Sequence, residues 1–481
     1  IAALETENPP LFKCYWEAVR RTEALQGFVH ESGRFPASGY GRLNVAYLFA
    51  ELFLDAKGPD GRSGLVVPSG IATDSFSQHL FNRIADGNLA SLYDIENRER
   101  LFSAVDSRMK FCLLTLARAP GTDFVCFATQ VTHLADVRRR FRLTPDEFRL
   151  VNPNTLTCPI FRSQRDAELT KKLYHAAPVL LEERSPAKNP WNIQFMLMFM
   201  MNTDSYRFKD ESAPNRLPLY EAKMIHQFDH RWATYGTDRS SGDVAVDAKK
   251  DSNFSVTPRY WVDATEVESR LATKGWSRGW LMGWRDICRA TDERTVIASV
   301  LPRVGVGNQM PLMLFAPREG LRALAALLGN LSSLTLDFVA RHKTGGTHMN
   351  YFIFKQLPVL PPDRYTDADL TFIVPRVLEL TYTAHDLQPW AADLAYTGPP
   401  FAWDPDRRAR LRAELDAYFA RLYGLTRDEL RYILDPADVM GADYPSETFR
   451  VLKNNETRQF GEYRTRRLVL EAWDHQAAGG A

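Results

Sequence analysis

The first 130 residues constrain the fold most. Four short apolar runs follow one another there: SGLVVPSG (63–70), LASLYDIE (89–96), MKFCLLTLA (109–117) and DFVCFAT (123–129). Each reads as a strand. Helical segments precede and separate them. Residues 11–26 carry Leu11, Phe12, Tyr15, Trp16 and Val19 on one side, and LNVAYLFAELFLDA (43–56) is strongly apolar until GPDG (58–61) ends it. A further helix spans about 74–85. Helix, buried strand, helix and then more apolar strands predict part of an α/β sheet covered on both faces.

After residue 130 the pattern changes. Segments become mixed and aromatic-rich, and the polar stretch 236–257 reads as a loop. TVIASVLP (295–302) reads as a strand and LRALAALLGNLSSLTLDFVAR (321–341) as one long helix. The Pro pairs of LPVLPPDRY then punctuate the chain, and the remaining residues are charged and helical. The expected organisation is therefore 1–130, 131–365 and 366–481. A length of 481 residues accommodates about two to four domains.

Composition excludes little. Sixty basic and 59 acidic residues give a net charge of +1, and a basic groove can hide in a neutral total. The five cysteines, Cys14, Cys112, Cys126, Cys158 and Cys288, are odd in number and far apart, with no C-x-x-C. That argues for a reducing, cytoplasmic compartment and against a disulfide framework or a cysteine zinc site. No uninterrupted apolar stretch is long enough to span a membrane, and no signal peptide is evident. The chain begins with Ile and reads as a fragment.

Asn8-Pro9-Pro10 is the one triplet that matches a catalytic motif. Asn-Pro-Pro-aromatic holds an exocyclic amino group beside a methyl donor, and its aromatic residue stacks on a flipped base. Such a motif must end a buried parallel strand. Here IAALETE precedes it, Leu11 replaces the aromatic residue, and a helix begins at once. Asn is a preferred N-cap and Pro suits the first helical turn. The triplet therefore reads as a helix start. A Gly-rich donor turn is also missing: PRVGVGNQM (302–310) follows a plausible strand but opens no helix, and the glycines of HKTGGTH (342–348) follow a helix.

Longer stretches carry a resemblance. GRLNVAYLFAELFL, GPDGRSGLVVPSGIATD and LYDIENRERLFSAVDSRMKFCLLTL resemble the second half of large adenine-N6 DNA methyltransferases of the type IIG restriction-modification, BREX and DISARM phage-defence kind. NPNTLTCPIFRSQRDAEL, LPLYEAKMIHQFDHRWATY, RDICRATDERTVIASVLP and KTGGTHMNYFIFKQLPVLPP resemble their target-recognition part. LRAELDAYFARLYGL and GEYRTRRLVLEAW resemble their C-terminal part. The resemblance covers essentially the whole chain. It implies an incomplete Rossmann-like core holding the last strands, an α+β target-recognition domain and a helical C-terminal region. In that family the donor turn and the tetrad lie upstream of the matching segment. The resemblance thus implies that S-adenosylmethionine is bound mainly by residues preceding this chain, and that the chain alone is inactive.

Some residues carry over. Phe102, in RERLFSAV, sits where a base-stacking Phe would be; an ordinary core Phe is the alternative. Asn44 and Tyr47 lie on a helix near that pocket. For reading double-stranded DNA, the later half offers Arg289, Arg294, Arg341, Lys343, Gly345, Gly346, His348 and Asn350 at loop–helix junctions. Gly allows close approach to phosphate, and Arg and Asn can read guanine and adenine edges. Other restriction or phage-defence subunits stand as further partners. His226, Asp229 and His230 have helical i, i+3, i+4 spacing but no separate third ligand, so no metal site is expected. Glu221-Ala222-Lys223 mimics the end of a nuclease motif without its Pro-Asp. The rival expectation is a non-catalytic DNA-specificity protein working with a separate methyltransferase chain.

Overall fold

Five strands build the first sheet: β1 (Ser63–Pro68), β2 (Leu89–Glu96), β3 (Lys110–Leu116), β4 (Thr122–Ala128) and β5 (Phe141–Leu143), in the order β1-β3-β2-β4-β5. The computed structural model that defines them describes residues 1–184, 187–315 and 320–479. β3 lies between β1 and β2 and is antiparallel to both, β4 is parallel to β2, and β5 is antiparallel to β4. Hence β1, β2 and β4 run one way and their carboxyl ends share one edge. The chain as a whole is mixed α/β with several small sheets, and it divides into two units, Ile1–Ala167 and Glu168–Ala481.

Alternation explains which side of the first sheet is buried. Leu92, Cys112, Leu114, Leu116, Phe124 and Cys126 point into one apolar cluster. Helices α2 (Val45–Ala56), α3 (Gln78–Ala85) and α4 (Pro145–Val151) close it with Tyr47, Ala50, Leu54, Leu80, Phe81, Ile84 and Phe148. The opposite face is covered differently from the expected two-sided arrangement. Ile95, Val125 and Ala128 are buried there, but Tyr93, Phe111, Leu113 and Leu134 are only half-buried. Two short 3-10 helices, Val131–Ala135 and Val137–Arg139, supply Leu134, and no α-helix packs there. The expected boundary at 130 also falls inside this unit. β5 extends the sheet, and Phe141 stacks on Phe124 with ring centroids 5.2 Å apart.

Before the sheet runs α1 (Pro9–Glu31), longer than the expected 11–26. The Asn8 side chain accepts a hydrogen bond from the Leu11 amide at 3.2 Å, so the Asn-Pro-Pro triplet is a cap followed by Pro in the first turn. The apolar side of α1 does not face a core: Leu11, Tyr15, Trp16, Leu25 and Phe28 are exposed, and Val29 alone is buried.

The second unit holds β6 (Ile193–Met196), β7 (Arg216–Tyr220), β8 (Ala233–Tyr235), β9 (Ser241–Asp243), β10 (Trp261–Asp263), β11 (Trp280–Trp284), β12 (Ala298–Pro302), β13 (Gly305–Val306) and β14 (Leu312–Phe315). An antiparallel sheet β12-β11-β14-β6 forms its centre, beside β10-β7-β13 and the hairpin β8–β9. Every residue of β11 and β14 is buried, which is why WLMGW and LMLF show no alternation. The hairpin and a short helix, Val246–Lys250, occupy the stretch expected as loop.

The expected long helix is two, α5 (Leu321–Leu331) and α6 (Leu334–Lys343), bent by 59°. Ser332-Ser333 makes the break: Ser333 caps α6 by accepting from the Leu336 amide at 3.2 Å, and Asp416 accepts from the Leu334 amide at 2.7 Å. α5 is buried nearly all round and is covered by α7 (Asp367–Thr381), while α6 packs on α8 (Pro405–Leu422) and α9 (Arg427–Leu434). An apolar helix of this kind needs its cover, so the chain does not divide at 365. α10 (Arg450–Phe460) and α11 (Arg464–Ala477) finish the unit. Among the described residues no single helix is long and apolar enough to cross a membrane.

Candidate functional site

The first candidate lies where β1, β2 and β4 end, the edge at which open α/β sheets bind ligands. Asn97 follows β2 and is fully buried. Its Nδ2 donates to the carbonyls of Phe102 (2.9 Å) and Val105 (3.0 Å), and its Oδ1 accepts from the Phe102 amide (2.9 Å). Asn97 N also donates to Met109 O at 2.9 Å. One side chain thus fixes loop 97–109, whose apolar residues Leu101, Phe102, Val105 and Met109 all stand exposed. Phe102 is 45% exposed and meets Phe111 edge-on, 4.9 Å between centroids. It is not a core residue, and part of its surface is free to stack.

Beside this loop sits a buried carboxylate. Asp94 accepts from the Ser69 hydroxyl and from the Phe127 amide at 3.4 Å. Phe127 has a left-handed backbone, φ 58°, which is uncommon and costly for a residue with Cβ. Its ring lies 4.9 Å from Lys110 Nζ and 4.1 Å from the Arg162 guanidinium. These residues were not singled out from sequence. The available signal was Asp94 itself, an acid sharing the inward face of β2 with Leu92.

Asn44 has a structural task. It is the N-cap of α2, and its Oδ1 accepts from the Ala46 amide at 3.0 Å. Tyr47 is buried, and its hydroxyl donates to Asp74 Oδ2 at 3.5 Å. Burial raises the pKa of both, and the Asp74 charge raises that of Tyr47 further. A Cβ at Gly70 would lie 2.3 Å from Asp74 Oδ2 and 2.5 Å from the Tyr47 hydroxyl, so this contact requires glycine.

The second candidate is a pair of loops in the second unit. Segment 286–288 and segment 347–349 form a short antiparallel bridge: Cys288 N donates to Thr347 O (3.1 Å) and Met349 N to Asp286 O (2.6 Å). The bridge brings together exposed Gly345, Gly346 and His348, with Asn350 after them and exposed Arg289 across the pair. His348 Nδ1 is 2.7 Å from Asp286 Oδ2.

Three of the expected DNA contacts hold the fold instead. Arg294 is buried, pairs with Asp337 at 2.8 Å and donates to the Ser332 carbonyl. Arg341 is buried and donates to the carbonyls of Ala290, Thr448 and Asp292 at 2.9 Å and Glu293 at 2.8 Å. Lys343 donates to the Tyr174 hydroxyl and the Gln356 carbonyl, both at 2.7 Å, and burial pushes its pKa well down. A cation committed to inner carbonyls cannot reach a phosphate without losing them. The His226, Asp229, His230 spacing is not helical either. A turn links His226 and Asp229, and each side chain has its own neighbour: Trp232 for His226, Lys249 for Asp229 and Asp386 for His230. Burial holds the His226 pKa down at about 3. Glu221 accepts from the Tyr235 hydroxyl at 2.6 Å.

No protein-family model matches the chain, and no curated protein does. Two similar solved structures are the type IIG restriction endonuclease BpuSI and the type IIL restriction-modification enzyme MmeI in complex with DNA. BpuSI is 11% identical over 87% of this chain and 52% of its own, with a TM-score of 0.28. MmeI is 10% identical over 79% of this chain and 49% of its own, with a TM-score of 0.38. The chain thus spans about half the length of each.

Proposed function

We propose that this chain is the C-terminal part of an adenine-N6 DNA methyltransferase. It would supply one wall of the target-base pocket and the reading of the duplex site. The observation that carries this reading is Phe102: a half-exposed aromatic ring on a loop pinned by a buried Asn97, at the carboxyl edge of three co-directional strands. A flipped adenine needs such a stacking partner. The likeness of the quoted stretches to adenine methyltransferases supports the same reading. S-adenosylmethionine would bind mainly to residues outside this chain. Within it, the first unit contributes the last strands of a Rossmann-like core, and the second meets DNA through Arg289, Gly345, Gly346 and His348.

The test is direct. The chain is titrated with duplex DNA at rising salt, then with a duplex in which one adenine is mismatched or faces an abasic position. The reading expects salt-dependent binding. It also expects tighter binding where an adenine is easily flipped, an advantage lost in Phe102→Ala and kept in Phe102→Tyr. Binding with no such advantage in any variant favours the specificity protein, and absence of duplex binding overturns both.

A further inference from the structure

Loop 97–109 has a fixed, apolar tip that faces solvent. The Phe102 carbonyl accepts from Asn97 Nδ2 and also from the Val105 amide at 3.1 Å, so a turn over 102–105 closes onto the buried clamp. Such a turn sets its first and last residues side by side, here Phe102 and Val105. Leu101 precedes them directly. Leu101 is 45% exposed and Val105 43%, and unlike Phe102 neither has a ring to lean on. Holding apolar side chains rigidly in water costs both hydration and conformational entropy. A tip held in this way is ready to enter an apolar place.

The charge around the tip tells what that place belongs to. Residues 97–110 carry four cations, Arg98, Arg100, Arg108 and Lys110, against two acids, Glu99 and Asp106. Arg98 pairs with Glu96 at 3.0 Å. Asp106 is taken by Arg108 through two bonds, 3.1 and 2.8 Å. Arg100, next to Leu101, is left without an ion pair among the described residues. Its backbone is left-handed, φ 51°, and its amide donates to the Asn97 carbonyl at 2.9 Å. Asn97 thus fixes the root of an unpaired cation and the apolar tip together. An apolar polypeptide surface would answer the tip and not the excess of positive charge. A duplex answers both, with phosphates outside and a base stack within.

We propose that the tip of loop 97–109 is a wedge. Leu101 and Val105 enter the base stack at the step that opens, and Arg100 holds a phosphate beside it. This rests on the proposed DNA methyltransferase reading and adds the element that opens the duplex, while Phe102 serves the base that has left it.

The experiment uses the full chain and a duplex with one mismatched adenine and a dye at each end. Energy transfer reports the end-to-end distance. Apolar wedges kink a duplex by about 20–90°, so the parent should shorten that distance at saturation. Leu101→Ala with Val105→Ala should bind about tenfold more weakly and leave the duplex straight. Both side chains face solvent, so thermal unfolding of this variant should match the parent. Arg100→Ala should keep the bend at saturation and lower the salt slope by about one. Phe102→Ala should also keep the bend. A straight duplex in the parent complex overturns the proposal. So does a double variant that bends DNA as the parent does, or a bend lost in Phe102→Ala alone, which would make Phe102 the wedge. A double variant that binds duplex as tightly as the parent assigns the tip to a polypeptide partner and overturns it too. In each of these cases the advantage of Phe102 at a loosened adenine is measured separately and can still stand. A chain that binds no duplex overturns both readings.

Discussion

The two units bury their apolar residues to different extents. In residues 168–481, Trp191, Trp280, Trp284 and Trp390 are fully buried. The indole N–H groups of the last three donate to Asp393, to the Met349 carbonyl and to Thr381. Even Arg231 is inside, donating to the carbonyls of Lys249, Asp251, Phe254 and Thr383. Residues 1–167 are the reverse. Among the described residues, eighteen exposed large apolar side chains belong to this shorter unit and eight to the longer one. Thirteen of the eighteen lie on α1, on the α2 row Val45, Phe49 and Phe53, on Val66 of β1 and on loop 97–109. The chain does not lack apolar residues in either place. What differs is coverage: helices enclose the second unit, whereas in the first they cover one side of the sheet.

The contrast can be broken from the closed side first. Asp337 is fully buried and accepts from the amides of Thr295 (2.9 Å) and Val296 (3.1 Å) while pairing with Arg294 and Arg341. Asp337→Ala strands two buried cations, so thermal unfolding should report a loss of about 3–5 kcal/mol. Next comes Asp416, whose carboxyl is pushed up to about 6, chiefly by burial. Its folded pKa lies above the unfolded one. Its stabilising contribution is therefore complete below about pH 4 and is lost as pH rises through about 6. Asp416→Asn keeps an oxygen for the Leu334 amide. It should be more stable than the parent at pH 8 by at most about 3 kcal/mol, a gap that closes by pH 4 in denaturant titrations at the two pH values.

The open unit should respond less and more locally. Asn97→Ala removes three hydrogen bonds from loop 97–109 and should cost about 2 kcal/mol. Amide exchange should quicken over 98–109, and the Phe102-dependent binding should go with it. Smallest of all, Phe49→Ser with Phe53→Ser should change stability by less than about 0.5 kcal/mol, because both side chains already face solvent. The same pair should lower binding of an apolar dye. A large loss of stability instead would mean that the stripe is already covered.

Local pattern made much of this legible and long-range partnership did not. Runs such as LASLYDIE marked β2 to the residue, and Asn8 was readable as a cap because Pro followed it. The Ser332–Ser333 break was hidden inside an apolar periodicity that continues on both sides, and it needs Asp416, far along the chain, to satisfy the new helix start. The basic residues failed for the same reason. Arg289 and Arg341 look alike in sequence, and only the four carbonyls gathered around Arg341 tell them apart. Loop 97–109 was placed by its flanking strands, but the clamp that exposes Phe102 depends on Asn97 turning inward.

The ends of the first sheet are unequal. β5 is three residues long and offers an added strand little to hold, whereas β1 offers six residues with one side of its backbone outside any ladder. The sheet therefore has a direction of growth. A strand arriving at β1 would lengthen it without disturbing any existing pair, and would find the Val66 side chain already waiting beside its path.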